Sequence, residues 1–178
     1  MKVLDVLQNT GQCQDFRDKF VSKAVAYDVV QAALWASFPH GVMNLEFVVV
    51  RDKEKIALIA EQCPRQSWLA KVPCVLVIIN DSKKSETLYG DRGKLYATQS
   101  LGAAMQAMMM SLQDSGLAGY WVRSFNENAV ARIIKKEKVV EALLVIGYPK
   151  KKVSHEEPNI QPEKVMHFDV YGNKEVKE

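Results

Sequence analysis

The sequence predicts an α+β fold, a sandwich with helices on both faces of a central sheet. Three observations carry this. Pro73 to Asn80 reads Pro-Cys-Val-Leu-Val-Ile-Ile-Asn, apolar on both faces, as suits a central strand covered from both sides. Residues 95 to 115 form the longest helical pattern, ending at Gly116. Along the whole chain, a few short strand-like runs alternate with more numerous helical ones. The 178 residues suit one domain, 1–178, whose core needs no disulfide or metal.

Taken in order, Val3, Val6 and Leu7 fit a short amphipathic helix, and Asn9 to Gln12 read as a polar turn. Val25, Val29, Val30, Ala33 and Leu34 recur at helical spacing up to Trp35, and Pro39-His40-Gly41 ends that helix. Phe47 to Val50 is a β-branched strand closed by Arg51-Asp52, and Lys53 to Glu61 is a short helix. The 95–115 helix carries Ala103, Ala104, Met105, Ala107 and Met108 to Met110, apolar around most of its circumference. Such a helix belongs at the domain centre, at a subunit interface, or both, and its methionines read first as core filler. Tyr120 to Val122 is a strand, followed by a helix from Asn126 to Lys135 capped by Asn126 or Ser124. Ala142 to Ile146 is a strand stopped by Gly147-Tyr148-Pro149. Residues 150–164 read as a polar loop, and Val165 to Asp169 as an extended edge or a swapped segment.

Composition narrows the function. The 24 Lys+Arg are offset by 21 Asp+Glu, a net charge of +3, and only Lys150-Lys151-Lys152 forms a basic run. Nucleic-acid binding calls for a broader patch with interleaved aromatics, so no nucleic-acid partner is expected. Cys13, Cys63 and Cys74 lack metal-ligand spacing and read as reduced thiols. No apolar run approaches the ~20 residues that span a bilayer, and no signal-peptide core follows Met-Lys-Val-Leu-Asp-Val-Leu. The expectation is a cytoplasmic protein without a membrane partner.

Several strings, taken in order, resemble one family. Leu34-Trp35-Ala36-Ser37-Phe38-Pro39-His40-Gly41-Val42-Met43-Asn44 followed by Phe47-Val48-Val49-Val50 is similar to a helix, polar loop and strand of the nitroreductase superfamily. Tyr96 to Gln106 is similar to that family's central helix. Gly116 to Glu127 resembles the strand, loop and helix that present backbone to a flavin ring. Leu143 to Pro149 resembles the family's Gly-Tyr-Pro strand end, and Gln161 to Phe168 its closing segment. The likeness runs from about residue 8 to 170.

The resemblance implies an intertwined homodimer with a mixed sheet, in which residues 150–178 form a tail packing on the partner subunit. It implies FMN as cofactor, NAD(P)H as electron donor, and a small electron-poor organic substrate reduced by a ping-pong route. The implied cofactor contacts are Gln12, Gln14, Ser37, His40, Met43, Asn44, Val122, Arg123, Ser124, Lys150 and Lys152. No side chain is implied as catalytic, because the cofactor carries the chemistry.

The chain departs from the family at the flavin motifs. Gly11, Gln12 and Gln14 stand where the family has Arg, Ser and Arg before Phe16. In the next loop, an ungapped match places Phe38, Gly41 and Met43 at the polar positions, and a shifted one places Ser37 and Asn44 there. The tail reads Pro158-Asn159-Ile160-Gln161 where an Arg is usual, and Arg123 replaces a Gly beside the ring. FMN carries a phosphate of about −2 charge, and each lost Arg contact costs about 1.5–3 kcal/mol. Lys150 to Lys152 compensate in part, and Gln12 and Gln14 still donate amide hydrogens. Asn44 reads equally as a strand-entry cap, and His40 as a surface residue or a substrate-side proton donor. Arg123 either stabilises negative charge on the ring or occupies its space. An alternative reading is therefore a homodimer of this fold that has lost FMN and serves as a ligand-binding or regulatory protein.

Overall fold

The computed structural model describes residues 2–36, 38–137, 139–153 and 159–175. Its sheet has the strand order β1-β2-β4-β3, with β1 Leu45–Val50, β2 Val75–Asn80, β3 Ala118–Val122 and β4 Val140–Gly147. All three ladders are antiparallel. Among the described residues the one parallel pairing is an isolated bridge between Gln12 and Gly119 at the β3 edge. Every residue of β2 is buried, as its unbroken apolar run requires of a central strand.

Alternation along β2 divides the core in two. Val75, Val77 and Ile79 face one layer, with Ile56 and Ile59 of α3 (Lys53–Glu61), Val130 of α6 (Glu127–Ile133) and Leu69 of the 3-10 turn Ser67–Lys71. Leu76 and Ile78 face the other, with Val29 of α2 (Lys23–Leu34) and Met105 and Met108 of α5 (Arg92–Ser111). Helices thus cover both faces, as the sequence predicts. Local caps fix where they begin: Ser22 accepts from the Val25 amide (3.2 Å), Asp52 from Lys55 (2.9 Å) and Asn126 from Ala129 (3.1 Å). The last assigns the cap of α6 to Asn126 rather than Ser124.

Two elements, a helix α4 (Lys83–Tyr89) and the 165–169 segment, differ from the sequence reading. Helix α4 precedes α5 and packs tightly on it, because Gly93 lets the two backbones meet. Within one chain α5 buries only one side. Leu101, Ala104, Met105 and Met108 face the core, while Thr98, Gln99, Ala103 and Gln106 lie exposed. Val165 ends a short helix, α7 (Pro162–Val165), and the extended residue Met166 follows it, so 165–169 add no strand here. Helix α1 (Val3–Asn9) buries none of its residues in this chain.

A bulge marks the middle of the sheet. Ile78 opposes Ala142 and Ile79 opposes Val140, which leaves Glu141 as the extra residue. Its carboxylate accepts from Thr98 Oγ1 (3.1 Å) and from Asn80 Nδ2.

Cys13, Cys63 and Cys74 are free and buried. Burial pushes the Cys63 and Cys74 thiols up to about 11. A thiol whose folded pKa is raised keeps its proton where the unfolded chain has lost it. Its stabilising contribution is complete below about pH 9 and is lost as pH rises toward 11. Denaturant midpoints should therefore fall across that window by more in the parent than in a Cys63→Ala, Cys74→Ala variant. Equal slopes would mean that both thiols ionise freely in the fold.

Candidate active site

The segment from Gln12 to Arg17 is tied to the sheet by backbone bonds that span the length of the chain. Cys13 donates its amide to the Gly119 carbonyl (2.9 Å), Arg17 to Tyr148 (2.8 Å), and Lys150 donates back to Asp15 (3.1 Å). Arg17 Nε reaches the Pro149 carbonyl at 3.1 Å. Phe16 packs against the end of β4, and Gly147 permits it. A Cβ there would stand 2.7 Å from the Phe16 ring and 2.8 Å from Pro73. The glycine of the Gly-Tyr-Pro string is thus a packing requirement of the N-terminal segment.

Between this segment and the 3-10 turn Ser67–Lys71 lies a cavity of about 560 Å³, lined by Gln14, Asp15, Ser67, Trp68, Lys71 and Lys150 among others. Trp68 meets Tyr120 of β3 edge-on at 4.9 Å between centroids. Gln66 Nε2 donates to the Ser124 carbonyl (2.9 Å) and the Asn126 amide to Gln62 (2.9 Å), so the end of β3 is held against the same turn. Two ammonium groups, an amide and a hydroxyl thus converge on an aromatic wall. That donor set and size suit an anionic, partly aromatic ligand and fit FMN.

Of the residues singled out in the sequence, Gln14 and Lys150 meet in this cavity. Lys150 also pairs with Asp15 at 2.7 Å, both half exposed or more, a weak tie that a ligand phosphate can displace. Gln12 lies beside it, but its side-chain oxygen accepts from the Trp121 amide (3.0 Å). Val122 is fully buried and offers a ligand only its backbone. The Arg123 guanidinium lies on the Trp121 ring, 3.8 Å from its centroid. Lys152 is exposed.

The other named residues lie elsewhere. Met43 packs in the α2/α5 layer, on the sheet face opposite Phe16 and Trp68. Asn44 is buried at the entry to β1, where Nδ2 bonds to Asn80 Oδ1 and to the Ala97 carbonyl (3.4 Å) while its own oxygen has no hydrogen-bond partner among the described residues. His40 adopts a left-handed conformation (φ 49°) in the turn Pro39–Gly41, with Nδ1 against the Tyr89 hydroxyl. Ser37 lies outside the described residues. One chain therefore does not bring Met43, Asn44 and His40 together with Gln14 and Lys150.

Sequence reasoning missed Gln66, Ser67, Trp68 and Lys71. They fall in a stretch without periodicity between a helix and a strand. The only signal was a tryptophan set among polar residues there.

The sequence model of the Nitroreductase family matches residues 57–148, just over half of the chain. A curated protein of Methanocaldococcus jannaschii, provisionally assigned as a nitroreductase, is 27% identical over 100 residues. That match covers 56% of this chain and spans half the length of the relative. Among solved structures, the NfrA1 nitroreductase of B. subtilis superposes with a TM-score of 0.84 at 18% identity, over 96% of this chain and 75% of that one. The NADPH:FMN oxidoreductase of Vibrio harveyi, solved with NAD+, gives 0.81 at 18%, over 98% and 79%. An FMN-dependent nitroreductase of Clostridium difficile gives 0.79 at 21%, over 95% and 100%. Among the described residues, no helix is long and apolar enough to cross a membrane.

Proposed function

The chain belongs to the nitroreductase family, and from that premise we propose that it is an FMN-dependent oxidoreductase, drawing electrons from NAD(P)H to reduce small electron-poor organic molecules by a ping-pong route. The observation that carries the reading is the convergence of Gln14, Ser67, Lys71 and Lys150 on one cavity walled by Trp68. FMN, when bound, supplies the electron-transfer chemistry. Lys71 and Lys150 supply the positive charge that the phosphate and the pyrimidine edge of a flavin require, in place of the missing arginines. Gln14 and Ser67 supply neutral donors, and Trp68 excludes water from one side. Arg123, stacked on Trp121 rather than aimed into the cavity, adds positive charge near the ring without occupying its place.

A homodimer follows in the same reading, with the partner's 37–44 loop completing the site. Trp35 is 86% exposed and Tyr171 93%, and Leu34, Leu95, Val165 and Val170 are also large exposed apolar groups. They lie on α2, on α5 and on the 150–178 tail, the surfaces that a partner would cover. Light scattering at micromolar concentration should return twice the 20.1 kDa chain mass. A monomer would remove the dimer and, with it, the completed site.

The test of activity is direct. Protein reconstituted with FMN should lose its yellow absorbance on anaerobic addition of NADPH or NADH and regain it with a nitroaromatic or quinone. Bound flavin that neither donor bleaches would defeat the proposal. Gln14→Arg should tighten FMN by about 1.5–3 kcal/mol, the value of one charge-assisted bond. Weaker or unchanged binding in a fluorescence titration would place the phosphate away from Gln14.

A further inference from the structure

A second cavity, of about 670 Å³, adjoins the first and shares Phe16, Lys71, Val72 and Lys150 with it. Its lining includes five cations, Lys19, Arg51, Lys53, Lys71 and Lys150, against one acid, Asp18. The whole chain carries a net charge of only +3, so this cleft is far more positive than the average surface. Asp18 offsets little: it stands 4.0 Å from Lys53, with both side chains almost fully exposed.

The cations are also placed against aromatic and apolar groups. The Arg51 guanidinium lies 5.0 Å from the Phe20 ring centroid and donates to the Val21 carbonyl (3.3 Å), which fixes its plane. Lys19 Nζ sits 3.8 Å from the Tyr148 ring centroid. Phe20 is 68% exposed, and Ala70 and Pro73 extend the apolar floor. A flat ring that stacks, joined to a phosphate monoester of about −2 charge, is the ligand chemistry that answers this arrangement.

We propose that this cleft receives the 2′-phosphorylated adenosine end of NADPH and makes the protein prefer NADPH to NADH. The proposal rests on the oxidoreductase reading, which puts the flavin in the adjoining cavity and so brings a dinucleotide donor alongside. NADPH and NADH differ by a single phosphate, and Lys19, Arg51 and Lys53, the three cations that the flavin cavity does not share, give that phosphate its partners.

Calorimetric titration of the full chain with 2′,5′-ADP and with 5′-AMP separates the possibilities. 2′,5′-ADP should bind at least about tenfold tighter, since one charge-assisted contact is worth that factor or more. The preference should weaken with salt. K19E/K53E, which changes two exposed lysines of this cleft alone, should abolish the preference, and K19A/K53A should reduce it. Equal affinity for the two nucleotides, or a preference that survives K19E/K53E with unchanged circular dichroism, overturns the proposal. So does FMN that competes with 2′,5′-ADP, which would assign the cleft to the flavin phosphate. Flavin-loaded protein that oxidises NADPH and NADH equally removes this inference and leaves the oxidoreductase reading standing. Preferential 2′,5′-ADP binding by a protein that takes up no flavin supports the cleft's ligand and removes that reading instead.

Discussion

Gly93→Ala should destabilise the fold by about 3 kcal/mol or more, at the upper end of what overpacking costs. The added methyl would stand 2.3 Å from the Glu86 backbone nitrogen and 2.4 Å from Ser85, where no flexible side chain can yield. The helices α4 and α5 would have to separate, and Ser85, now buried, would be uncovered. Gly102→Ala on the same helix is the control. Its Cβ meets nothing within 4 Å in one chain, so at dilutions where the chain is monomeric the usual helix preference should give a gain of about 0.5–1 kcal/mol. Denaturant titrations of the two variants should shift in opposite directions. Equal shifts would mean that α4 does not press on Gly93. A loss at Gly102 at higher concentration would instead show that a second copy packs there.

Charge reversal at the candidate site should have the next largest effect. Lys71→Glu combined with Lys150→Glu should weaken FMN at least about 100-fold, since two charge-assisted contacts of about 1.5–3 kcal/mol each become repulsions. Lys94→Glu, on the exposed side of α5 and outside both cavities, should leave the affinity within about twofold, as screened surface charges do. The readout is quenching of flavin fluorescence on titration with protein. Equal affinities in the two variants would move the phosphate out of the Gln14–Lys150 cavity.

The frame of the fold was legible because its signals are local. The apolar run of β2 identified a central strand without reference to anything else. Asn126 announced its helix by a side-chain cap, whereas Asp52, read only as the end of a strand, proves to cap α3. Helix α4 was not legible. Lys83, Lys84, Ser85, Glu86 and Thr87 show no apolar stripe, and the helix rests on the close approach at Gly93. Of the two places the sequence offered for α5, the domain centre accounts for its buried side within one chain, and composition alone could not separate that side from the small-residue outer one.

The site was half legible. Gln14 and Lys150 were found through resemblance, but Lys71, Ser67 and Trp68 gain their meaning from a segment more than fifty residues away. Asn44 had two readings, and burial beside Asn80 and Ala97 ties its side chain to the interior of this chain. Gln12 likewise bonds to the Trp121 amide, 109 residues along.

The lacing of Gln12 to Arg17 onto the far end of β4 also sets an order of events during synthesis. Domains generally fold from the N-terminus as the ribosome delivers them, at roughly 5–20 residues per second. Here the earliest residues must wait for the latest. Arg17 finds the Tyr148 carbonyl, and Asp15 the Lys150 amide, only when more than four fifths of the chain has emerged. Until then Phe16 lacks its seat beside Gly147 and is an exposed aromatic on a nascent chain. The candidate cavity, which needs Gln14 to Phe16 and Lys150 beside the turn Ser67–Lys71, closes only after that, so a ribosome-stalled fragment ending before Gly147 should carry a sheet in progress but an incomplete cavity.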